Sequence, residues 1–187
     1  MANTQKNMKK LNVLYFSILV LIGCSEQSNQ NAFNEVKIGH QVWSDNNLNI
    51  DKFRNGDPIP LALSDDEART EGKNHKPIRM SISDTNLHTT YYLYNWYAVN
   101  DPRGLAPNGW HVPSKDEFYT LTSEIKDDLE IELEKLKIIN KERWWTTTAS
   151  NKYNSDATSV AFYKKEFEYK NGTDKHKLYL VRCIKDY

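Results

Sequence analysis

Cysteine occurs only twice, at Cys24 and Cys183, which excludes a framework of several disulfides of the kind that supports small secreted folds. Net charge is absent as well, since 25 basic residues balance 25 acidic ones over 187 positions. Without a basic footprint the chain has little to grip a phosphate backbone, so nucleic acid is not an expected partner. The five histidines, His40, His75, His88, His111 and His176, never fall at His-x-x-x-His or His-Glu-x-x-His spacing, so no zinc site is expected. Neither a Gly-x-Ser-x-Gly elbow nor a glycine-rich phosphate loop is present, which removes the usual support for a covalent hydrolase or a nucleotide binder. No metal and no cofactor is expected. No apolar run reaches the about 20 residues that a membrane-spanning helix needs.

The longest apolar run, Leu11 to Ile22, follows Lys6, Lys9 and Lys10 and ends in Leu21-Ile22-Gly23-Cys24. A positive stretch followed by a short apolar one is the pattern of an export signal. Its end resembles the bacterial lipobox, in which the cysteine is thioether-linked to diacylglycerol and becomes the first mature residue. Residues 1–24 are therefore expected to be a lipoprotein signal peptide, with Cys24 as the lipid attachment site. Cleavage removes three lysines and no acids, leaving 22 basic against 25 acidic side chains, a net charge of −3. Ser25 to Asn34 is polar, with almost nothing to bury, and reads as a flexible tether before a folded domain over residues 35–187. Ser25 is not the aspartate that retains lipoproteins at the inner membrane in enterobacteria. The expected location is the cell envelope, lipid-anchored in the outer membrane and facing either the periplasm or the surface, and the membrane is the first expected partner.

Eleven tyrosines and five tryptophans suit a β-rich domain. Val36-Lys37-Ile38 and Gln41-Val42-Trp43 alternate around Gly39-His40 and predict a β-hairpin. Ser64 with Glu67 predicts a short capped helix that Gly72 ends early, and its acidic cluster Asp65, Asp66 and Glu67 suits a solvated helix start better than a calcium loop. Tyr91 to Val99 reads as one strand covered on both faces. Ser114 and Glu117 form a capping box, so a helix begins at Ser114. Phe118, Leu121, Thr122 and Ile125 line one face of it, and Leu129, Leu133, Leu136 and Ile139 continue the pattern as a second helix or as the far arm of a bent one. Arg143 to Thr148, Val160 to Tyr163 and Phe167 to Tyr169 predict strands, with Asn171-Gly172 as a hairpin turn. Leu178 to Ile184 predicts a buried, central last strand.

Seven blocks, taken in order, are similar to the Fibrobacter succinogenes major paralogous domain, a family of exported bacterial proteins. They are Val36 to Trp43, Asn46 to Asn49, Asn55 to Pro60, Leu93 to Val99, Gly109 to Ser114, Trp144 to Thr148 and Val181 to Asp186. The family in turn resembles the C-type-lectin-like fold of formylglycine-generating enzymes. The resemblance implies an α+β, C-type-lectin-like mixed domain, with its terminal strands paired in an antiparallel sheet and one or two central helices. Two departures stand out. Members usually carry a longer segment, with a Leu-Pro-Gly-Tyr-Arg-like motif, where only six residues separate Lys137 from Trp144 here. Many also have a cysteine where Ala106 stands, which the resemblance implies is the partner of the cysteine in the last strand, so Cys183 is expected to be a free thiol. The lectin-type calcium loops are absent too.

The expected function is a ligand-binding or adhesion module of unspecified ligand, glycan or envelope protein. Trp96, Tyr97, Trp144 and Trp145 are the candidate ligand contacts, because aromatic rings facing solvent can stack on sugars. No catalytic residue is assigned. The alternative is an enzyme with a site near His111, although a buried histidine bonded to backbone is the expected state of that residue.

Overall fold

The computed structural model describes residues 33–84, 89–150 and 154–187. Cys24, the signal segment and most of the tether lie outside the described residues. Ordered contacts begin two residues before the expected boundary at Glu35. Phe33 packs edge-on against Trp110 with ring centroids 5.3 Å apart, and Asn34 donates from its backbone and its side chain to the Asp45 carboxylate.

The first hairpin forms as its alternation predicts. β1 (Glu35–Ile38) and β2 (Gln41–Ser44) pair antiparallel with Ile38 opposite Gln41, and Gly39 takes the left-handed φ of 57° that the two-residue turn requires. A second sheet joins β3 (Leu61–Ala62), β4 (Arg79–Asp84) and β5 (Thr89–Tyr94) in that order, the first pair parallel and the second antiparallel. Between β3 and β4, α1 (Asp65–Lys73) starts at Ser64, whose hydroxyl accepts from the Glu67 N–H. Gly72 does not end this helix as expected. It lies inside it, against His176, where an added Cβ would stand 2.7 Å from the histidine Cβ.

The aromatic run 91–99 is not one strand, and β5 is half-exposed rather than covered on both faces. The strand stops because the Asn95 side chain accepts from the Ala98 N–H and opens α2 (Trp96–Val99). The same amide accepts from Ile78 N–H and donates to Lys76 O, so a buried asparagine draws backbone away from the ladder.

After β6 (Trp110–His111) come two separate helices, α3 (Lys115–Glu124) and α4 (Leu129–Lys135). The capping box at Ser114 is complete, with the hydroxyl accepting from Glu117 N–H and the carboxylate accepting from Ser114 N–H. Ser114→Ala removes one of these acceptors and should cost about 1 kcal/mol, read as a lower denaturation midpoint. Phe118, Leu121, Ile125, Leu133 and Leu136 are buried as the periodicity predicts, but Ile139 lies beyond the helix and is exposed.

The third sheet is β7 (Glu142–Ala149), β8 (Asp156–Tyr163) and β9 (Glu166–Asp174). Its tight turn is not Asn171-Gly172. Lys164 and Lys165, both at positive φ, make the β8–β9 turn, and the pair Phe162 and Phe167 closes it with centroids 4.9 Å apart. Asn171 and Gly172 instead oppose the single residue Thr158 in a bulge within β9, where Thr158 Oγ1 bonds Asn171 Oδ1.

The last segment is buried and central, though only β10 (Ile184–Lys185) is regular strand. Tyr179 exchanges backbone hydrogen bonds with Tyr94 of β5, Leu180 bonds Arg143 and Trp145 of β7, Val181 accepts from Leu48, and Cys183 accepts from Ser44. β10 then lies between β2 and β6, antiparallel to both, which completes the order β1-β2-β10-β6 and places the terminal strands in one antiparallel sheet, with β2 between them. One extended segment therefore binds all three sheets, and the class is α+β.

β7 divides the apolar interior. Trp144 points into a cluster with Phe118, Leu121, Leu136 and Ile184, while Trp145 points into another with Tyr94, Ala106, Val181 and Cys183, the opposite directions that strand alternation imposes. Cys183 is a free, fully buried thiol that shares its cluster with Ala106, and burial pushes its ionisation well above the ordinary thiol value. It should react with a thiol reagent slowly in the folded chain and completely after unfolding; fast native labelling would show the segment open.

Candidate functional site

The four aromatic residues singled out by sequence do not form a platform. Trp144 and Trp145 are fully buried and Trp96 nearly so. Their indole N–H groups donate inward, to Asn47 Oδ1 at 2.8 Å, Tyr94 O at 2.9 Å and Thr146 O at 3.0 Å. Each ring buries a large apolar area and each N–H is satisfied, so these tryptophans hold the fold together and offer no stacking face to solvent. Tyr97 alone of the four is partly accessible, and its ring stacks on His75 at 5.0 Å.

His111 is neither fully buried nor bonded to backbone, contrary to expectation. It sits on β6 with Nδ1 2.7 Å from Asp186 Oδ1 and Nε2 2.8 Å from Glu117 Oε1. Glu117 faces the ring because the capping box fixes its carboxylate, and Asp186 arrives because its N–H bonds Gly109 O beside β6. Partial burial works against the charged ring, but the hydrogen bonds to Glu117 and Asp186 outweigh it and raise His111 above the ordinary histidine value. The charged bridge therefore adds stability that is fully present below the unfolded value, about 6.5, and is lost as pH rises through the higher folded value. NMR titration should place His111 above that reference, and Glu117→Gln should bring it down; a native value at or below the reference would refute the bridge. Both ring nitrogens are engaged, so acid–base chemistry here would first require a carboxylate to leave.

A groove of about 780 Å³ opens where the second and third sheets part. One wall is β5, with Thr89, Thr90, Tyr91 and Leu93; the other runs from Ile139 to Arg143; Leu178, Tyr179 and Leu180 lie between; Asn46, Asn47 and Asn49 close one end. The sheets diverge here because Tyr179 and Leu180 bind β5 and β7 in turn, after which the chain leaves for β2. Its asparagines are held by the protein. Asn46 donates to Asp45, Asn47 donates to Glu142, Asn49 donates to Thr90 O, and Asn140 accepts from Lys164 N–H. Arg143 donates to Ser159 and lies 5.7 Å from the Tyr179 ring centroid. Sequence reading put no ligand contact in this groove; its one local signal was the amide-rich Asn46-Asn47-Leu48-Asn49.

Among the described residues no group of three or more histidine, cysteine, aspartate or glutamate side chains is placed to hold a metal, and no helix is long and apolar enough to cross a membrane. No curated protein and no solved structure matches the chain. The model of one family, the Fibrobacter succinogenes major domain, matches residues 36–140, from β1 through α4, including His111 and the asparagine end of the groove. That span is more than half of the sequence, and the chain belongs to the Fibrobacter succinogenes major domain family.

Proposed function

We propose that the protein is a lipoprotein of the cell envelope, anchored in the outer membrane through Cys24, whose folded domain is a ligand-binding or adhesion module. The groove between β5 and β7 carries the binding reading. It is the size of a small-molecule or oligomer site, and its amide side chains are already oriented by protein partners, so a ligand would meet preformed hydrogen-bonding groups rather than mobile ones. A glycan and protein array probed with the full chain tests it: groove-dependent binding supports the module, and no retained ligand counts against it.

The anchor rests on the charged start, the apolar run and Leu21-Ile22-Gly23-Cys24. Metabolic labelling with a clickable fatty acid should mark the wild-type protein and not Cys24→Ala, which should also remain uncleaved. Equal label on both would sink the anchor.

A C-type-lectin-like arrangement, as in formylglycine-generating enzymes, is the finer fold reading. Its support is the pairing of β10 with β2 and the two helices between the outer strands. An enzyme acting at His111 is the second functional reading, favoured by an imidazole flanked by Glu117 and Asp186. A catalytic turnover abolished by His111→Gln, with groove binding unchanged, would establish it.

A further inference from the structure

We propose that the groove takes a neutral, hydroxyl-rich oligosaccharide, read by Asn47 and Glu142, an inference that rests on the groove being the module's ligand site. Charge comes first. Asp84 and Glu142 are balanced by Lys141 and Arg143 among the lining residues, so neither an acidic nor a basic ligand finds an excess of opposite charge.

An indole N–H can only donate, so the 2.8 Å contact from Trp144 Nε1 fixes the Asn47 oxygen inward and turns its NH₂ toward Glu142, whose Oε1 lies 2.7 Å away. Glu142 Oε2 accepts from Ile139 N–H at 2.9 Å. One Asn47 hydrogen and the spare carboxylate lone pairs remain, a donor beside acceptors on fixed supports. Neighbouring hydroxyls of a sugar, each able to donate and accept, match that pair. Tyr179 supplies the apolar part: its half-buried ring is wedged by Trp145, tilted 53° to it at 4.9 Å, and by the Arg143 guanidinium at 5.7 Å, so a sugar C–H group would meet a ring edge that is already immobilised.

An extended peptide is the competing occupant, and its usual mode is strand addition at an open sheet edge. The β5 edge is poorly placed for it. Tyr94 exchanges both backbone bonds with Tyr179, its hydroxyl bonds Ile50 N–H and O, and Thr90 O is taken by the Asn49 amide. On that edge the Tyr94 pair and Thr90 O are therefore already engaged, which leaves little open ladder for a peptide strand.

The test is calorimetric titration of the full chain with neutral hexasaccharides of β-1,4-glucan, β-1,4-xylan, β-1,4-mannan and α-1,4-glucan, with polygalacturonate as the acidic comparison and a displayed peptide library run in parallel. At least one neutral sugar should bind. Glu142→Gln and Tyr179→Leu should each weaken it on the order of tenfold, the effect of losing one well-placed contact. Asn140→Trp, which fills the exposed rim and leaves the core alone, should abolish it, and Tyr119→Ala on α3 should change nothing. Sugar binding indifferent to the three groove variants, or binding of polygalacturonate alone, would overturn the proposal. Peptides that bind, are blocked by Asn140→Trp and leave every sugar unbound would overturn the sugar while keeping the groove as a ligand site. If neither sugar nor peptide binds, both readings fail.

Discussion

Trp144→Ala should lower the stability of the folded chain by about 4 kcal/mol, the cost of deleting a buried aromatic whose surroundings cannot collapse into the space. The surroundings are stiff here. Phe118 stacks near Trp144 with centroids 6.2 Å apart, the Arg182 guanidinium lies 5.8 Å from its ring, and β7 is held on one side by β8 and on the other by Leu180. The alanine variant also leaves the Asn47 oxygen without its donor. Trp144→Phe keeps much of the apolar area but loses that hydrogen bond and part of the ring volume, so it should cost less than alanine, about 2 kcal/mol. Urea denaturation at unchanged m-value measures both. A loss below about 1 kcal/mol in the alanine variant would contradict the placement of Trp144 between the third sheet and α3.

Arg182→Ala should cost about 3 kcal/mol or more, and Arg182→Met clearly less. Arg182 is fully buried, and its Nη1 donates to the carbonyls of Leu136, at the end of α4, and Ser44, at the end of β2. Burial pushes its guanidinium down to about 10, with Glu142 and Asp45 opposing that shift. Alanine removes the shared donor of two inward-facing carbonyls and opens a cavity. Methionine also removes the donor but fills the space, and it relieves a desolvated charge whose Nε and Nη2 find no partner among the described residues. Thermal denaturation separates the cases. Equal losses in the two variants would mean that volume and charge burial do not matter at this position and that the carbonyl bonds carry the whole effect.

Legibility in the sequence follows the distance over which each feature is decided. The capping box at Ser114 and the turn at Gly39-His40 involve atoms a few residues apart, so their spelling is sufficient. The break at Asn95 has a local half, the cap on Ala98 N–H, but the bond from Ile78, 17 residues away, that also holds the side chain lies outside any window around Tyr91 to Val99. Lysine has no preference for positive φ, so the turn at Lys164-Lys165 reflects the register of β8 against β9, while Asn171-Gly172, a strong turn spelling, was used for a bulge. The Glu117 half of the His111 bridge was within reach of the capping motif, whereas Asp186 lies 75 residues away. The groove was hidden for the same reason: Asn47 finds Glu142 across 95 residues and Trp144 across 97. Aromatic content correctly indicated a β-rich domain, but composition carries no information on which rings face inward, and Trp96, Trp144 and Trp145 all do.

Residues 178–186 reach back to β2 through contacts such as the Cys183–Ser44 hydrogen bond, which spans 139 residues, and the same stretch ties β5 to β7. Contacts so distant along the chain require large loops to close before the native interactions form, which slows folding relative to a chain of local contacts. As synthesis proceeds from the amino end, the first hairpin, the second sheet and the third can each gather locally, but the strand that joins them is made last. The chain would thus leave the ribosome with its three sheets still unjoined, and native closure waits until its last ten residues are free to reach β2, β5 and β7 together.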